Sequence, residues 1–218
     1  MSWFQGTLLK YYQDGGWVMH PLLVISVASM YFILERAWVL MRARIDTHAL
    51  IQQIRDGLLR KRDVQACLRL CEASRGPVAG VLKAGLLKHG APRSEVEKTI
   101  ENSALHEMAR LERGLGVLAT SANVAPLLGF FGTVVGMIDS FDVLAAAGLN
   151  NPGLVARGIS VALITTAGGL LIAIPVQLAY NYFSVRVSGL VREMETAANV
   201  LVETFDEMER LQPQAPAP

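Results

Sequence analysis

Long uncharged stretches dominate the pattern of hydrophobic and polar residues along the chain. Residues 15–34, 114–138 and 158–185 contain no Asp, Glu, Lys or Arg. Each stretch reaches or exceeds the roughly 20 residues that a helix needs to cross about 30 Å of hydrocarbon. A closed β-barrel also spans membranes, but these stretches lack the polar and apolar alternation of barrel strands. The pattern therefore predicts three transmembrane helices.

Composition supports a membrane protein. Hydrophobic residues make up 52% of the 218 residues and charged residues only 18%, whereas a soluble domain carries about 25% charged residues. This excludes an ordinary soluble globule and a disordered chain. The net charge of +1 gives no reason to expect a nucleic-acid partner.

The basic residues are distributed unevenly around the three predicted helices. Fourteen of the 20 Lys and Arg residues lie between Arg42 and Arg113, and three follow the third helix. Only Lys10 precedes the first helix, and only Arg157 lies between the second and the third. Because basic segments stay in the cytoplasm, we expect the 42–113 segment and the C-terminus there, and the N-terminus on the outer side of the membrane.

The segments outside the membrane show helical patterns. Asp46 and Asp63 precede amphipathic stretches and are predicted N-caps, and Ser94 with Glu97 matches a capping box. From Ser94 the helical pattern continues without a strong breaker, which predicts one long helix that runs into the second transmembrane helix. Apolar residues after the third transmembrane helix keep helical spacing through Leu211, which predicts another long helix.

The predicted organisation is all-α: a polytopic membrane protein with three transmembrane helices, two of which extend into a cytoplasmic helical bundle. The predicted segments are an outer-face amphipathic segment (1–14), transmembrane helix 1 (15–40), a cytoplasmic helical region (41–113), transmembrane helix 2 (114–144), a short periplasmic loop (145–157), transmembrane helix 3 (158–185), a cytoplasmic C-terminal helix (186–211) and a disordered tail (212–218).

Two cysteines, Cys67 and Cys71, are four residues apart and therefore face one side of a helix. A redox pair or half of a metal site are the functional interpretations. No second Cys or His pair completes a metal site, and the cytoplasm is reducing. Buried core thiols are the favoured interpretation.

Small and weakly polar residues form a stripe on the second and on the third transmembrane helix. Such stripes let helices approach closely, and helix packing alone would account for them. Each stripe also carries a mid-membrane hydroxyl, and a ring of such helices would enclose a narrow, weakly polar lumen. The stripes comprise Ala122, Pro126, Gly129, Thr133, Gly136 and Ser140 on helix 2, and Ala162, Thr166, Gly169, Ala173 and Gln177 on helix 3.

No ionisable side chain lies in the middle of any predicted transmembrane helix. Intramembrane carboxylates or basic groups normally mark proton pathways, so another chain must supply the titratable acid if this protein conducts protons. The four histidines are scattered, and no catalytic, metal or phosphate-loop constellation is present. We therefore expect neither an enzyme nor a bound metal or cofactor.

Two segments resemble the MotA/TolQ/ExbB proton-channel family, in its ExbB/TolQ branch. Residues 118–141 (LATSANVAPLLGFFGTVVGMIDSF) resemble the family's second transmembrane helix, and residues 158–175 (GISVALITTAGGLLIAIP) its third. The resemblance implies a homopentamer in the bacterial inner membrane around a dimer of a single-span partner like ExbD or TolR. An aspartate in the partner helix would take up and release protons.

The resemblance also implies roles for individual residues. The family's pore threonines map onto Thr133 and Thr166, with Thr165 as a weaker candidate. Close helix packing in the pore wall would involve the small residues Ala122, Pro126, Gly129, Gly136, Ala162, Gly169 and Ala173. The family commonly has a glutamate where this chain has Val161, so that residue's role does not carry over.

The implied function is that of a motor driven by the proton motive force. The motor would power TonB-type import, envelope maintenance, gliding motility or secretion, through a TonB-like, TolA-like or motility effector. Membrane lipid is the other expected partner. A non-conducting membrane scaffold is the alternative from a different class, and a neighbouring gene for a single-span protein with an intramembrane Asp would favour the motor.

Overall fold

Helices make up nearly all of the described chain. The computed structural model describes residues 10–43, 46–74, 76–147 and 152–211, and no strand occurs within these ranges. Residues 10–14 are helical, and Gly57–Lys61 form a π-helical turn. The main helices are α1 (Met19–Arg42), α2 (Thr47–Asp56), α3 (Val64–Ala73), α4 (Pro77–Leu86), α5 (Arg93–Glu112), α6 (Leu115–Ala147) and α7 (Pro152–Arg210).

Three stretches of helix in the described residues are long and apolar enough to cross a membrane, and they involve α1, α6 and α7. This confirms the predicted all-α class with three membrane-spanning helices. The described residues fall into two compact units. The membrane unit lies within residues 1–35 and 114–182, and the bundle unit within residues 36–113 and 183–218.

The prediction of one continuous helix from Ser94 into the second transmembrane helix is wrong. Helix α5 ends at Glu112 and α6 begins at Leu115. Between them, Gly114 has a φ of +84°, a left-handed conformation that glycine adopts without a steric penalty because it lacks a Cβ. Together with Arg113, whose ψ of 127° is also non-helical, Gly114 separates the two helices.

Part of the predicted periplasmic loop is helical in the described residues. Helix α6 reaches Ala147 and α7 begins at Pro152, so much of the predicted loop 145–157 is helical. Proline is well suited to the first turn of a helix, because its missing N–H would have no intrahelical partner there. Helix α7 then continues without interruption to Arg210. Residues 1–9 of the predicted outer segment and the predicted tail 212–218 lie outside the described residues.

Two predicted N-caps are confirmed in the bundle unit. Asp46 Oδ1 accepts a hydrogen bond from the Ala49 amide at 3.1 Å, and Asp63 Oδ1 accepts one from the Ala66 amide at 2.9 Å. Each carboxylate satisfies an amide that would otherwise lack an intrahelical partner. These caps fix the starts of α2 and α3.

The predicted capping box at Ser94 does not form. Helix α5 begins at Arg93, two residues earlier than a cap at Ser94 implies, with Pro92 at the N-cap position and no side-chain cap. Glu97 instead accepts a hydrogen bond from Arg93 Nε at 2.7 Å. Because Glu97 binds a side chain one turn earlier, it is not engaged in capping.

The two cysteines are core residues, as predicted. Cys67 is fully buried and Cys71 is 3% exposed, and the described residues contain no group of three or more His, Cys, Asp or Glu that could hold a metal. Burial raises the pKa of both thiols because it disfavours the thiolate, and the pKa of Cys71 is raised to about 11.

We expect Cys71 to react slowly with iodoacetamide in the folded protein. A rise in thiol pKa from 9.0 to about 11 lowers the thiolate fraction at pH 8 on the order of a hundredfold. The pKa of Cys71 is higher in the folded protein than in the unfolded chain. The contribution of its neutral thiol to folding stability is therefore complete below pH 9 and is lost between about pH 9 and 11. Alkylation of a Cys67→Ala variant, followed by mass spectrometry with and without denaturant, checks this expectation. Equal rates in the two conditions would contradict it.

Candidate functional site

Helices α6 and α7 pack backbone to backbone in the membrane unit. A Cβ atom built on Gly169 would lie 2.5 Å from the carbonyl oxygen of Ala125 and 3.1 Å from Cα of Gly129. A Cβ atom on Gly129 would lie 3.0 Å from the carbonyl oxygen of Thr165. A Cβ atom does not fit at the Gly169 distance, so glycine is required there, and at Gly129 any larger residue would push the neighbouring backbone away by a few tenths of an ångström. Close approach of this kind is the usual means of helix association in lipid, where burial from water contributes nothing.

The close contact continues toward the connection between α6 and α7. A Cβ atom on Gly136 would lie 2.7 Å from the carbonyl oxygen of Gly158, and one on Gly158 would collide with the Ser140 hydroxyl. That hydroxyl lies 2.8 Å from the Gly136 carbonyl oxygen and 3.2 Å from the Val155 carbonyl oxygen, across the helix pair. The same antiparallel register therefore extends over about four turns of each helix.

Most of the predicted packing residues lie at or near this contact. Pro126 is only half-buried. The others are buried, namely Ala122, Gly129, Gly136, Ala162, Gly169 and Ala173. Three further contributors, which are absent from the predicted set, are Ala125, Gly132 and Gly158. Their spacing of three or four residues from Gly129, Gly136 and Ala162 is the signal that would have identified them.

Thr165 belongs to the helix contact. Its side chain is fully buried, and its hydroxyl donates a hydrogen bond to the Ala162 carbonyl at 2.8 Å. A Cβ atom on Gly132 would collide with this side chain, so Gly132 provides the space that Thr165 fills.

Thr133 and Thr166 lie beside the contact and are half-buried. The Thr166 hydroxyl donates across the helix pair to the Gly129 carbonyl at 3.2 Å. The Thr133 hydroxyl donates within its own helix to the Phe130 carbonyl at 2.6 Å. Because Gly129 is one turn from Thr133 and next to Thr166, the two hydroxyls lie at similar depth along the helix pair.

Helix α1 and the residues before it pack on one side of the α6 and α7 pair. Met19 approaches Gly168 of α7, and the Trp17 ring contacts the Phe131 ring of α6 at 6.0 Å between centroids. Thr166 is two residues from Gly168, and Thr133 is two residues from Phe131. At about 100° per residue, each threonine is roughly 160° around its helix from the α1 side. Both hydroxyls therefore lie on the opposite, open side of the pair.

The open side is otherwise apolar near the threonines and polar at one end. Phe130, three residues before Thr133, is 65% exposed. At the end where α6 begins, Gln177 Nε2 donates to Asn181 Oδ1 at 3.0 Å, and Asn123 is also exposed. Asn123 is absent from the residues predicted from the sequence. Its position on the same helix as Thr133, ten residues earlier, and its polar amide are the sequence features that could have identified it.

Val161 lies on the other side of α7, toward the start of α1. Its Cγ1 is 3.6 Å from the position of a Cβ atom on Gly16. It is five residues from Thr166 and thus about 140° away around the helix. The position that differs from the family pattern is therefore not beside the threonine hydroxyls.

These features define a polytopic α-helical membrane protein in which two helices share a close contact and present hydroxyls on one side. Residues 73–196 match the MotA/TolQ/ExbB proton channel family. The chain belongs to this family, in its ExbB/TolQ branch, and is thus an inner-membrane protein.

Individual relatives agree with this assignment. A putative biopolymer transport protein ExbB homolog from Methanothermobacter thermautotrophicus is 33% identical over 88% of this chain and 68% of its own length. The putative biopolymer transport protein ExbB-like 1 from Synechocystis is 34% identical over 88% of this chain and 76% of its own length. The Tol-Pal system protein TolQ from Haemophilus influenzae is 33% identical over 77% of this chain and 81% of its own length.

Proposed function

We propose that this protein is the channel subunit of an inner-membrane motor that the proton motive force drives. In the proposed assembly, five copies surround a dimer of a single-span partner of the ExbD or TolR type. The N-terminus lies in the periplasm and the C-terminus in the cytoplasm, as the basic residues indicate. The motor drives TonB-type import, envelope maintenance, gliding motility or secretion through a TonB-like, TolA-like or motility effector.

The observation that carries this proposal is the common position of the Thr133 and Thr166 hydroxyls. Both lie opposite the α1 side of the helix pair and at similar depth. In a ring with α1 outermost, this side of each subunit would border the central passage. Five subunits would then contribute ten hydroxyls to an otherwise apolar wall.

The hydrogen bonds of the two threonines indicate what that wall would stabilise. A hydroxyl has one donor and two acceptor lone pairs, and both donors are engaged by backbone carbonyls. In this state each threonine accepts a hydrogen bond from a protonated carboxylic acid or from water. It can donate to a carboxylate only after it rotates away from its carbonyl, which costs about 1 kcal/mol. The wall therefore favours the neutral form of a partner aspartate.

Proton entry and release would convert this preference into stepwise rotation of the partner relative to the ring. A carboxylate is costly in an apolar passage, and protonation lets the acid move past the wall. One charge that crosses 100 mV is worth about 2.3 kcal/mol, several times thermal energy. Because five subunits cannot present equivalent sites to two partner helices, the two aspartates would be protonated at different times, and the partner would rotate relative to the ring.

Co-purification and proton flux test the proposal. The chain is co-expressed with the single-span product of a neighbouring gene, purified and reconstituted in liposomes with a pH-sensitive dye inside. We expect a complex of five copies with two partner copies, and a proton flux that a partner Asp→Asn variant abolishes. A chain that purifies alone and conducts no protons with the partner present would contradict the proposal and favour a non-conducting scaffold.

A further inference from the structure

A pocket in the bundle unit lies at the junction of three helices. The end of α1 contributes Trp38 and Arg42, α5 contributes Glu107 and Arg110, and the start of α4 contributes Pro77. Its volume is about 410 Å³, which is within the range of pockets that bind small ligands. The proton pathway proposed above makes no use of these residues.

Arg42 is held in a way that leaves its hydrogen-bond donors available. Its guanidinium carbon lies 3.8 Å from the centre of the Trp38 ring. An arginine stacked in this manner keeps its N–H groups directed outward in the guanidinium plane. The stacking therefore restricts the side chain without using the donors that would bind an anion.

Arg110 brings a second guanidinium to the pocket. Its Nη1 lies 3.9 Å from Glu107 Oε2, and its side chain is 78% exposed. This distance exceeds that of a hydrogen bond, so Glu107 attracts Arg110 without occupying its donors. Two arginines and one glutamate give the pocket a formal charge of +1.

A buried arginine links the two helices that carry these groups. Arg36 of α1 is 4% exposed, and its Nη1 donates to the carbonyls of Arg110 at 3.3 Å and Leu111 at 3.2 Å. These carbonyls belong to the last turn of α5, where a positive charge is favourable. The bonds hold the end of α1 against the end of α5, so the pocket is part of the packed bundle unit.

The sequence places the pocket close to the membrane surface. Arg42 follows the uncharged stretch 15–34 by eight residues, and Arg110 precedes the stretch 114–138 by four. Tryptophan and arginine are typical of the boundary between hydrocarbon and water, and basic pockets at the ends of transmembrane helices bind anionic headgroups. Lipid phosphates are the most abundant anions at this level.

We propose that the pocket formed by Trp38, Arg42 and Arg110 binds the phosphate group of an anionic ligand, supplied by a phospholipid headgroup or by free phosphate. The planar donors of the two guanidiniums match phosphate oxygens in bidentate geometry. Glu107 weakens the site by opposing the ligand's charge. This inference is independent of proton conduction, because it depends only on the contacts of the bundle unit.

Lipid binding to the purified full-length protein tests the inference. Delipidated protein in detergent is titrated with phosphatidylglycerol or phosphatidylcholine and examined by native mass spectrometry, and inorganic phosphate is titrated in a parallel equilibrium dialysis. We expect the Arg42→Gln/Arg110→Gln double variant to lose on the order of tenfold or more in affinity for the anion, since two charge-assisted bonds are removed. Arg69→Gln, which removes an exposed arginine of α3 outside the pocket, is the matched control and should bind as the parent does.

A gain-of-binding variant separates this inference from misfolding. Glu107→Gln removes the opposing charge and should tighten binding about twofold or more, which a damaged fold would not produce. Phosphatidylglycerol binding that exceeds phosphatidylcholine binding identifies lipid as the source, and arginine-dependent binding of inorganic phosphate alone identifies the free ion. Equal anion binding by the double variant and by Arg69→Gln would overturn the inference. It would also be overturned if the parent protein bound phosphatidylglycerol no better than phosphatidylcholine and did not bind inorganic phosphate.

Discussion

Gly169→Ala is expected to prevent the stable folding of the membrane unit, whereas Gly189→Ala on the same helix is expected to be harmless. The added methyl group at position 169 would lie 2.5 Å from the carbonyl oxygen of Ala125. Backbone cannot move aside as a flexible side chain can, so α6 and α7 must separate. We expect a loss of about 3 kcal/mol or more of unfolding free energy, at the upper end for overpacked cores.

Gly189 is a matched control because it lies within α7 and nothing is within 4 Å of a Cβ atom built there. Alanine at this position should leave stability unchanged or raise it by up to about 1 kcal/mol, through its better helix propensity. Thermal unfolding of the detergent-purified variants and their levels in the membrane measure both effects. Similar stabilities of the two variants would refute the backbone contact between α6 and α7.

Thr133→Val and Thr166→Val are expected to reduce partner-dependent proton flux while the assembly remains intact. Valine has nearly the same shape as threonine, so packing is kept, and each change removes the hydroxyl together with its hydrogen bond to the Phe130 or Gly129 carbonyl. The loss of one hydrogen bond to the partner acid in an apolar passage should lower the flux on the order of tenfold for each variant. Flux into dye-loaded liposomes, with the oligomer mass measured in parallel, provides the test.

Thr120→Val is the control for this pair. Thr120 also lies on α6 and its hydroxyl donates to the Gly116 carbonyl at 2.8 Å, but it is about 140° around the helix from Thr133. We expect unchanged flux in this variant. Normal flux in both Thr133→Val and Thr166→Val would remove the basis for the proposed pathway.

Local patterns in the sequence were sufficient for the main architecture. Charge-free stretches identify membrane-spanning helices because an unpaired charge in hydrocarbon is costly wherever the helix packs. Asp46 and Asp63 were identifiable as caps because a cap binds an amide three residues away. The absence of a titratable group from the middle of the spans is also a property of the sequence alone, and it requires that any proton carrier come from another chain.

The tertiary structure decided what depends on register between helices. Thr165 and Thr166 are neighbours in the sequence, yet one is fully buried against Gly132 and the other reaches the Gly129 carbonyl. Helical periodicity gives the angle between two side chains but not the direction of the partner helix, so it could not distinguish them. The break at Gly114 likewise depended on a backbone conformation that glycine permits and does not require.

The pocket of Trp38, Arg42 and Arg110 shows the same division. Arg42 and Arg110 are 68 residues apart in the sequence, and each alone is an ordinary basic residue near the end of a transmembrane stretch. The sequence by itself determined which segments enter the membrane, because that depends on the transfer energy of each residue. Only the packing of α1 against α5 placed both arginines in the lining of one pocket, because proximity between distant segments is a property of the folded chain.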